Sequence, residues 1–318
     1  MASFSQRVKD EIVKANFSDI ESKALLKGLL QINAAIDLSS EGLSLEYKTK
    51  NENVANKIIE LVQKMYKVEP ILMTTKEVRL KKETVYIIRI NQNASFILRN
   101  LSIMQAKNDT SYSLKKDLES DEEKIAYIKG AFLSTGSVND PSSSIYHLEI
   151  QTFNSIVASN LKDLINSFGL TSKISKNRRG FIVYLKSADR IQDFLQILGT
   201  NDSLLYYADL LIENDMNNSI NRVMNCEIAN QKKATQAALR QVEEIQGVEK
   251  TYDIKELPKS VVEAMKLRKD NPEDSLQELS DKSEALFGHV ISRSALNHRF
   301  KAIHELYKEK FGEWVLNI

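Results

Sequence analysis

Residues 127–141 read YIKGAFLSTGSVNDP, and the fold depends on what that stretch is. It has the cadence of a helix built around small residues, closing at Thr135–Gly136 before an Asn-Asp-Pro turn. A second glycine-centred helix, LLKGLLQINAA, starts at Leu25, and the two glycines lie 130 − 28 = 102 positions apart. At the same offset Val54 meets Ile156, Ile59 meets Leu161, Val62 meets Leu164, Tyr66 meets Phe168 and Leu72 meets Ile174. Apolar residues that recur at helical spacing and at one fixed offset imply a duplicated unit.

Each copy reads in the same order. A helix (about 21–35 and 121–135) leads to a strand, with Leu43, Leu45 and Tyr47 in the first copy and Ile145, His147 and Glu149 in the second. An amphipathic helix follows, about 53–67 and 155–168, the second closed by Gly169 as a left-handed cap. A β-hairpin comes next, turned by NRRG in the second copy, and a last helix (about 93–102 and 188–198) completes the unit. The pattern α-β-α-β-β-α, twice, predicts an α+β domain with pseudo-twofold symmetry. The expected boundaries are 1–104 and 121–210 for the repeats, with polar, aperiodic 105–120 as their linker.

Beyond these the pattern changes. Asn217 to Ile245 reads as a linker helix within 211–250, broken by QGVEKTYD, and 251–318 carries only short helices. LPKSVVEAMKLRKDNP has Pro258 at a helical first position. SLQELSDKSEAL opens with a Ser275–Glu278 capping box. SRSALNHRFKAIHELYKEK starts on Ser292 as N-cap and aligns Leu296, Phe300, Ile303 and Tyr307 on one apolar face.

Composition excludes several function classes. The chain has 318 residues, 42% of them apolar, and its 44 basic and 43 acidic residues nearly cancel, so any nucleic-acid footprint must be local. No run of eighteen apolar residues occurs and the amino terminus has no signal-like apolar region. The single cysteine, Cys226, rules out an internal disulfide and reads as a small buried packing residue. His147, His289, His298 and His304 show no zinc-binding spacing. A soluble, cytoplasmic protein without cofactor or metal is expected, and no membrane partner.

The candidate chemistry lies in three places. In the last helix Ser292, Arg293, Ser294, Asn297, His298, Arg299 and Lys301 precede its first acid, Glu305. Arginine pairs with guanine and asparagine with adenine in the major groove, while serine reaches phosphate or base. A capped helix opening at Ser275, a short turn and a second helix with such residues at its amino end make a helix-turn-helix layout. In the second hairpin Lys173, Lys176, Arg178 and Arg179 form an acid-free run suited to phosphate, although a solvated hairpin tip would look the same. Its counterpart carries Lys76, Arg79, Lys81 and Lys82, diluted by Glu77 and Glu83. Third, the two glycine-centred helices resemble the paired helices of the LAGLIDADG homing endonucleases. There an acid five residues after the glycine holds the metal that phosphodiester hydrolysis needs. That alignment puts Asn33 and Thr135 at the acid positions, so no catalytic residue is expected. Asp37 and Asp140, in turn-like contexts, are the only nearby substitutes.

GAFLSTGSVNDP, YHLEI, NRVMNCEIANQKKATQAALRQVEEI and SRSALNHRFKAIHEL, in this order, resemble the WhiA family, over nearly the whole chain. That resemblance implies a degenerate LAGLIDADG domain fused to a helix-turn-helix, similar in its last module to the promoter-reading part of sigma factors. It implies a nucleoid-associated transcriptional regulator on double-stranded promoter DNA, linked to cell division, chromosome segregation and, in sporulating relatives, sporulation. RNA polymerase and other transcription factors are further candidate partners. Two alternatives stay open: a division-machinery scaffold that binds protein, and a divergent nuclease using Asp37 or Asp140.

Overall fold

The computed structural model describes residues 3–39, 42–77, 83–104, 114–143 and 145–312. The chain forms two compact units, Met1–Asp215 and Met216–Ile318.

In the first unit a short helix, α1 (Phe4–Lys14), precedes α2 (Asp19–Asn33). Helix α2 is followed by strands β1 (Ala35–Ser39) and β2 (Gly42–Thr49), helix α3 (Glu52–Tyr66), strands β3 (Ile71–Glu77) and β4 (Glu83–Ile90), and α4 (Ala94–Asn100). After the one-turn α5 (Leu114–Asp117) the second copy runs α6 (Asp121–Thr135), β5 (Ser137–Val138), β6 (Leu148–Thr152), α7 (Ser155–Asn166), β7 (Lys173–Asn177), β8 (Gly180–Leu185) and α8 (Ala188–Ile197). Each copy makes one antiparallel four-stranded sheet, ordered β1-β2-β4-β3 and β5-β6-β8-β7. The α+β class and the twofold repeat are therefore as expected. Each copy holds one strand more than the pattern showed, β1 or β5, because five and two residues are too short for alternation to register.

The symmetry also corrects the pairing offset. Helices α2 and α6 keep 102: Ser18 and Ser120 are both N-caps, and Glu21 and Glu123 complete both capping boxes. From the sheet onward the offset is 103. Asn51 and Asn154 cap α3 and α7, and Val54, Ala55, Ile58, Leu61 and Val62 are buried as Val157, Ala158, Leu161, Leu164 and Ile165 are. One extra residue sits between first and second strand, where Ala35 pairs with Glu46 but Ser137 with Glu149. A slip of one residue exchanges the two faces of a strand. Accordingly Leu148, Ile150 and Thr152 face the core, whereas Ile145 is exposed, contrary to the expected alternation of Ile145, His147 and Glu149.

Helices α2 and α6 pack at their glycines. A Cβ on Gly28 would lie 2.3 Å from the Tyr127 carbonyl oxygen, and one on Gly130 would lie 2.2 Å from that of Leu25. Only a residue without a side chain permits this approach. Around the crossing Leu25, Leu26, Leu29, Leu30, Phe132 and Leu133 are fully buried. The expected linker 105–120 is corrected in its second half, since Leu114 and Leu118 are buried in the same core and Asp117 pairs with Lys27; residues 105–113 lie outside the described residues.

The long helix α9 (Asn201–Thr251) begins where Glu11 accepts the N–H groups of Asp202 and Ser203, at 3.0 and 3.1 Å. It runs through Gly247 and ends at Thr251, within QGVEKTYD, where the break was expected. Gly247 stays helical, and a Cβ there would meet the Tyr307 ring at 2.6 Å, so this glycine makes room for an aromatic rather than ending the helix. In the second unit the last turns of α9, through Ile245 and Val248, share a core with α10 (Lys259–Asp270), α11 (Leu276–Phe287) and α12 (Arg293–Phe311). Pro258 is the N-cap of α10, one position before the expected one.

Candidate nucleic-acid interface

The second unit is organised around the turn between α11 and α12. Ser275 caps α11 reciprocally with Glu278: the Ser275 hydroxyl accepts the Glu278 N–H at 3.3 Å and the Glu278 carboxylate accepts that of Ser275 at 2.7 Å. Those bonds hold the Glu278 carboxyl below its ordinary range. Gly288 ends α11 with φ +72°, a left-handed conformation glycine adopts without strain. Two buried serines then clamp the turn. Ser283 Oγ accepts the Ile291 N–H at 2.7 Å, and Ser280 Oγ donates to the Ile291 carbonyl at 2.8 Å. Ile291 is buried, and Ser292 caps α12 by accepting the Ala295 N–H at 3.2 Å.

Leu296, Phe300 and Ile303 anchor α12 in the core, with Tyr307 partly buried. Behind them lies a polar interior that no sequence pattern announced. Arg268, 2% exposed, donates to Gln241 Oε1 at 3.0 Å and to the carbonyls of Asn271 and Asp274 at 3.2 and 2.6 Å. Its guanidinium lies 5.4 Å from the Phe300 ring centre. Burial lowers its pKa, which the nearby Asp274 opposes. His304 Nδ1 is 2.7 Å from Glu244, itself 1% exposed. These residues set the depth and rotation of α12. Heptad-like apolar spacing could not have found them, because each is polar and its partner lies 3 to 60 positions away.

With the helix so held, Arg293, Ser294, Asn297, His298 and Lys301 are exposed. They share one side of α12's first turns, and none makes a side-chain hydrogen bond or ion pair among the described residues. Ser275 and Ser292 are occupied as caps, with their hydroxyl protons still free to be donated. Arg299 is corrected: its Nη1 is 2.9 Å from Glu263 Oε2, so it points into the unit, where His289 also approaches the same oxygen at 3.5 Å. It positions the helix instead of reading a groove.

In the first unit Lys173, Lys176, Arg178 and Arg179 are exposed along β7 and its turn, and the Arg179 carbonyl accepts from Gln151 at 3.1 Å. Lys76 is exposed on β3, while Arg79, Lys81 and Lys82 lie outside the described residues. The former acid positions are otherwise engaged. Asn33 Nδ2 donates to the Lys48 carbonyl at 3.1 Å and Thr135 Oγ1 to the Gln151 carbonyl at 2.5 Å. Both tie the end of a central helix to the second strand of its sheet, a donor's role that a carboxylate cannot fill. Asp37 is not in a turn but in β1 opposite Ser44, and Asp140 accepts the Ser142 N–H at 2.9 Å. Among the described residues no three His, Cys, Asp or Glu side chains converge as a metal site. No described helix is long and apolar enough to cross a membrane. Cys226 is exposed on α9, not buried as expected.

Three family models match in series: "WhiA N-terminal LAGLIDADG-like domain" at residues 19–104, "WhiA LAGLIDADG-like domain" at 124–217 and "WhiA C-terminal HTH domain" at 220–307. The chain is 38% identical over 308 residues to proteins named "Probable cell division protein WhiA" from Lactobacillus helveticus and Bacillus subtilis. The matched part is 96% of this chain in both cases, and 98% and 96% of those proteins. Among solved structures it is similar to the full-length DUF199/WhiA from Thermatoga maritima, with a TM-score of 0.57 at 21% identity, covering 98% of this chain and 100% of that one.

Proposed function

Because the chain belongs to the WhiA family, we propose that it is a sequence-specific regulator that binds double-stranded promoter DNA through α12 and does not cut it. The observation that carries this reading is the acid-free set Arg293, Ser294, Asn297, His298 and Lys301, without side-chain partners among the described residues, at the exposed amino end of a helix clamped by Ser280, Ser283 and Arg268. Such a helix lies in the major groove with its amino-terminal residues toward the base edges, where arginine and asparagine are able to make bidentate contacts. The hairpin cations Lys173, Lys176, Arg178 and Arg179 add phosphate contacts that strengthen binding without reading sequence. Asn33 and Thr135 leave the nuclease positions without the carboxylates a divalent metal needs. By analogy with its named relatives the role is in cell division; the family resemblance read from the sequence adds chromosome segregation and sporulation as associated processes, a nucleoid location, and RNA polymerase or other transcription factors as protein partners.

The test is a comparison of specific and random duplex at one salt concentration. Asn297→Ala should weaken binding to a selected site by about 1–3 kcal/mol and barely change binding to random DNA, since an uncharged residue releases no counterion. Equal losses on both, or no loss, would remove α12 as the reader.

A further inference from the structure

One face of the second sheet lies in the core, where Leu148, Ile150, Thr152, Val183 and Leu185 are buried. Strand alternation puts their neighbours on the opposite face. There Tyr184 stands between Glu149 on β6 and Lys173 on β7, and Ile182 stands between Gln151 and Ser175. Phe153, next in the same alternation and one residue past β6, is 67% exposed. The His147 ring centre lies 5.9 Å from that of Tyr184, and Lys186 Nζ lies 5.2 Å from it. Lys173, Lys176, Arg178, Arg179 and Lys186 are exposed along the same two strands and their turn, and none is in an ion pair among the described residues. The acid in the row, Glu149, is engaged by His147 Nε2 at 3.0 Å. The first sheet is built otherwise at the same registers. Arg89 stands where Tyr184 does and is held by Glu46 at 2.7 Å, and Ile71 stands where Lys173 does. The aromatic and basic set is therefore not a requirement of the fold.

We propose that this face of the second sheet binds single-stranded nucleic acid, with bases stacked on Tyr184 and Phe153 and phosphates held by the cations around them. The rings select that ligand over a duplex. Cations serve the phosphates of either, but in a duplex the bases are stacked on one another and show only their edges to the grooves. A single strand has its base faces free, and exposed aromatic rings beside a basic track are what such a strand recognises. Stacking engages any base, so the site carries no sequence preference of its own. It is separate from duplex reading by α12 and does not depend on it.

Fluorescence anisotropy of the full chain with labelled oligo(dT) and oligo(rU), each of roughly twelve nucleotides, tests this. Both should bind, the tighter one naming DNA or RNA as the ligand. Tyr184→Ala and Phe153→Ala should each weaken binding about fivefold or more, the equivalent of losing one stacked base. Tyr184→Phe and Phe153→Tyr should keep it, because the ring face and not the hydroxyl makes the contact. Thermal unfolding should be unchanged in all four, and so should affinity for duplex. Asn297→Ala, which tests α12, should leave oligonucleotide binding as it is, so the two readings fail separately. No binding of either oligonucleotide, or alanine variants that bind as wild type does, would overturn the proposal. So would losses shared by the conservative variants, or an equal loss on duplex.

Discussion

The meeting of Gly28 with Gly130 supports a quantitative expectation for Gly28→Ala. The added methyl would lie 2.3 Å from the Tyr127 carbonyl oxygen, 3.0 Å from the Ala131 nitrogen and 3.1 Å from Gly130 Cα. All three are backbone atoms, so no rotamer change relieves the overlap. Ordinary contact begins at 3.4 Å, so α2 and α6 must separate by roughly 3.4 − 2.3 = 1.1 Å at the crossing. A gap of about 0.5–1 Å already forfeits a quarter to a half of the dispersion attraction across it, and the flanking Leu25, Leu29, Phe132 and Leu133 are fully buried. Overpacking costs about 1–3 kcal/mol in general, and a rigid backbone obstacle on both sides places this case at about 3 kcal/mol or slightly above. Gly130→Ala, facing the Leu25 oxygen at 2.2 Å, should cost the same. Once one methyl has parted the helices the second enters opened space, so the double variant should cost clearly less than the sum. Peptide-resolved hydrogen exchange on the full chain reads this directly. Protection of residues 19–33 and 121–135 should drop about a hundredfold in either single variant, with residues 259–311 unaffected. Wild-type protection in Gly28→Ala, or a strictly additive double variant, would refute the crossing geometry.

Purified protein with magnesium or manganese should leave plasmid and linear duplex intact; metal-dependent nicking that disappears with Asp37→Ala or Asp140→Ala would reverse the non-cutting assignment. Thr135→Asp should lower stability by about 1–3 kcal/mol, because it replaces a donor to the Gln151 carbonyl by a carboxylate that repels it, and denaturant midpoints would show this. Replacing Lys176, Arg178 and Arg179 together by alanine should flatten the salt dependence of DNA binding by up to about three units of slope without altering sequence preference; an unchanged slope would assign that hairpin to solvent or a protein. Ser283→Ala should leave the buried Ile291 N–H unsatisfied, costing about 1–3 kcal/mol, and weaken specific binding through a loosened turn; a wild-type midpoint would show that the clamp is dispensable.

What the sequence determined by itself was local. Serine three residues before glutamate marked the start of α11, and the spacing Leu296–Phe300–Ile303 marked the buried side of α12, since capping and amphipathic periodicity act within a few residues of chain. The glycine pair 102 positions apart gave away the duplication, and the short motifs resembling the WhiA family pointed to a DNA-binding regulator. Only the tertiary structure decided which residues are free to act. A single inserted residue shifted the second copy's strand and exchanged its faces, which matters only once a strand has a partner and a core beneath it. Gly247 lies in the segment where the long helix ends, yet the helix continues past it to Thr251, and the Tyr307 ring, sixty residues later in the chain, fills the space beside it. Arg299 sits among residues of the reading type, yet Glu263 on α10 claims its guanidinium, while Arg293 and Asn297 have no such partner. Each of these outcomes depends on an atom brought close from far along the chain, and proximity of that kind leaves no trace in local spacing.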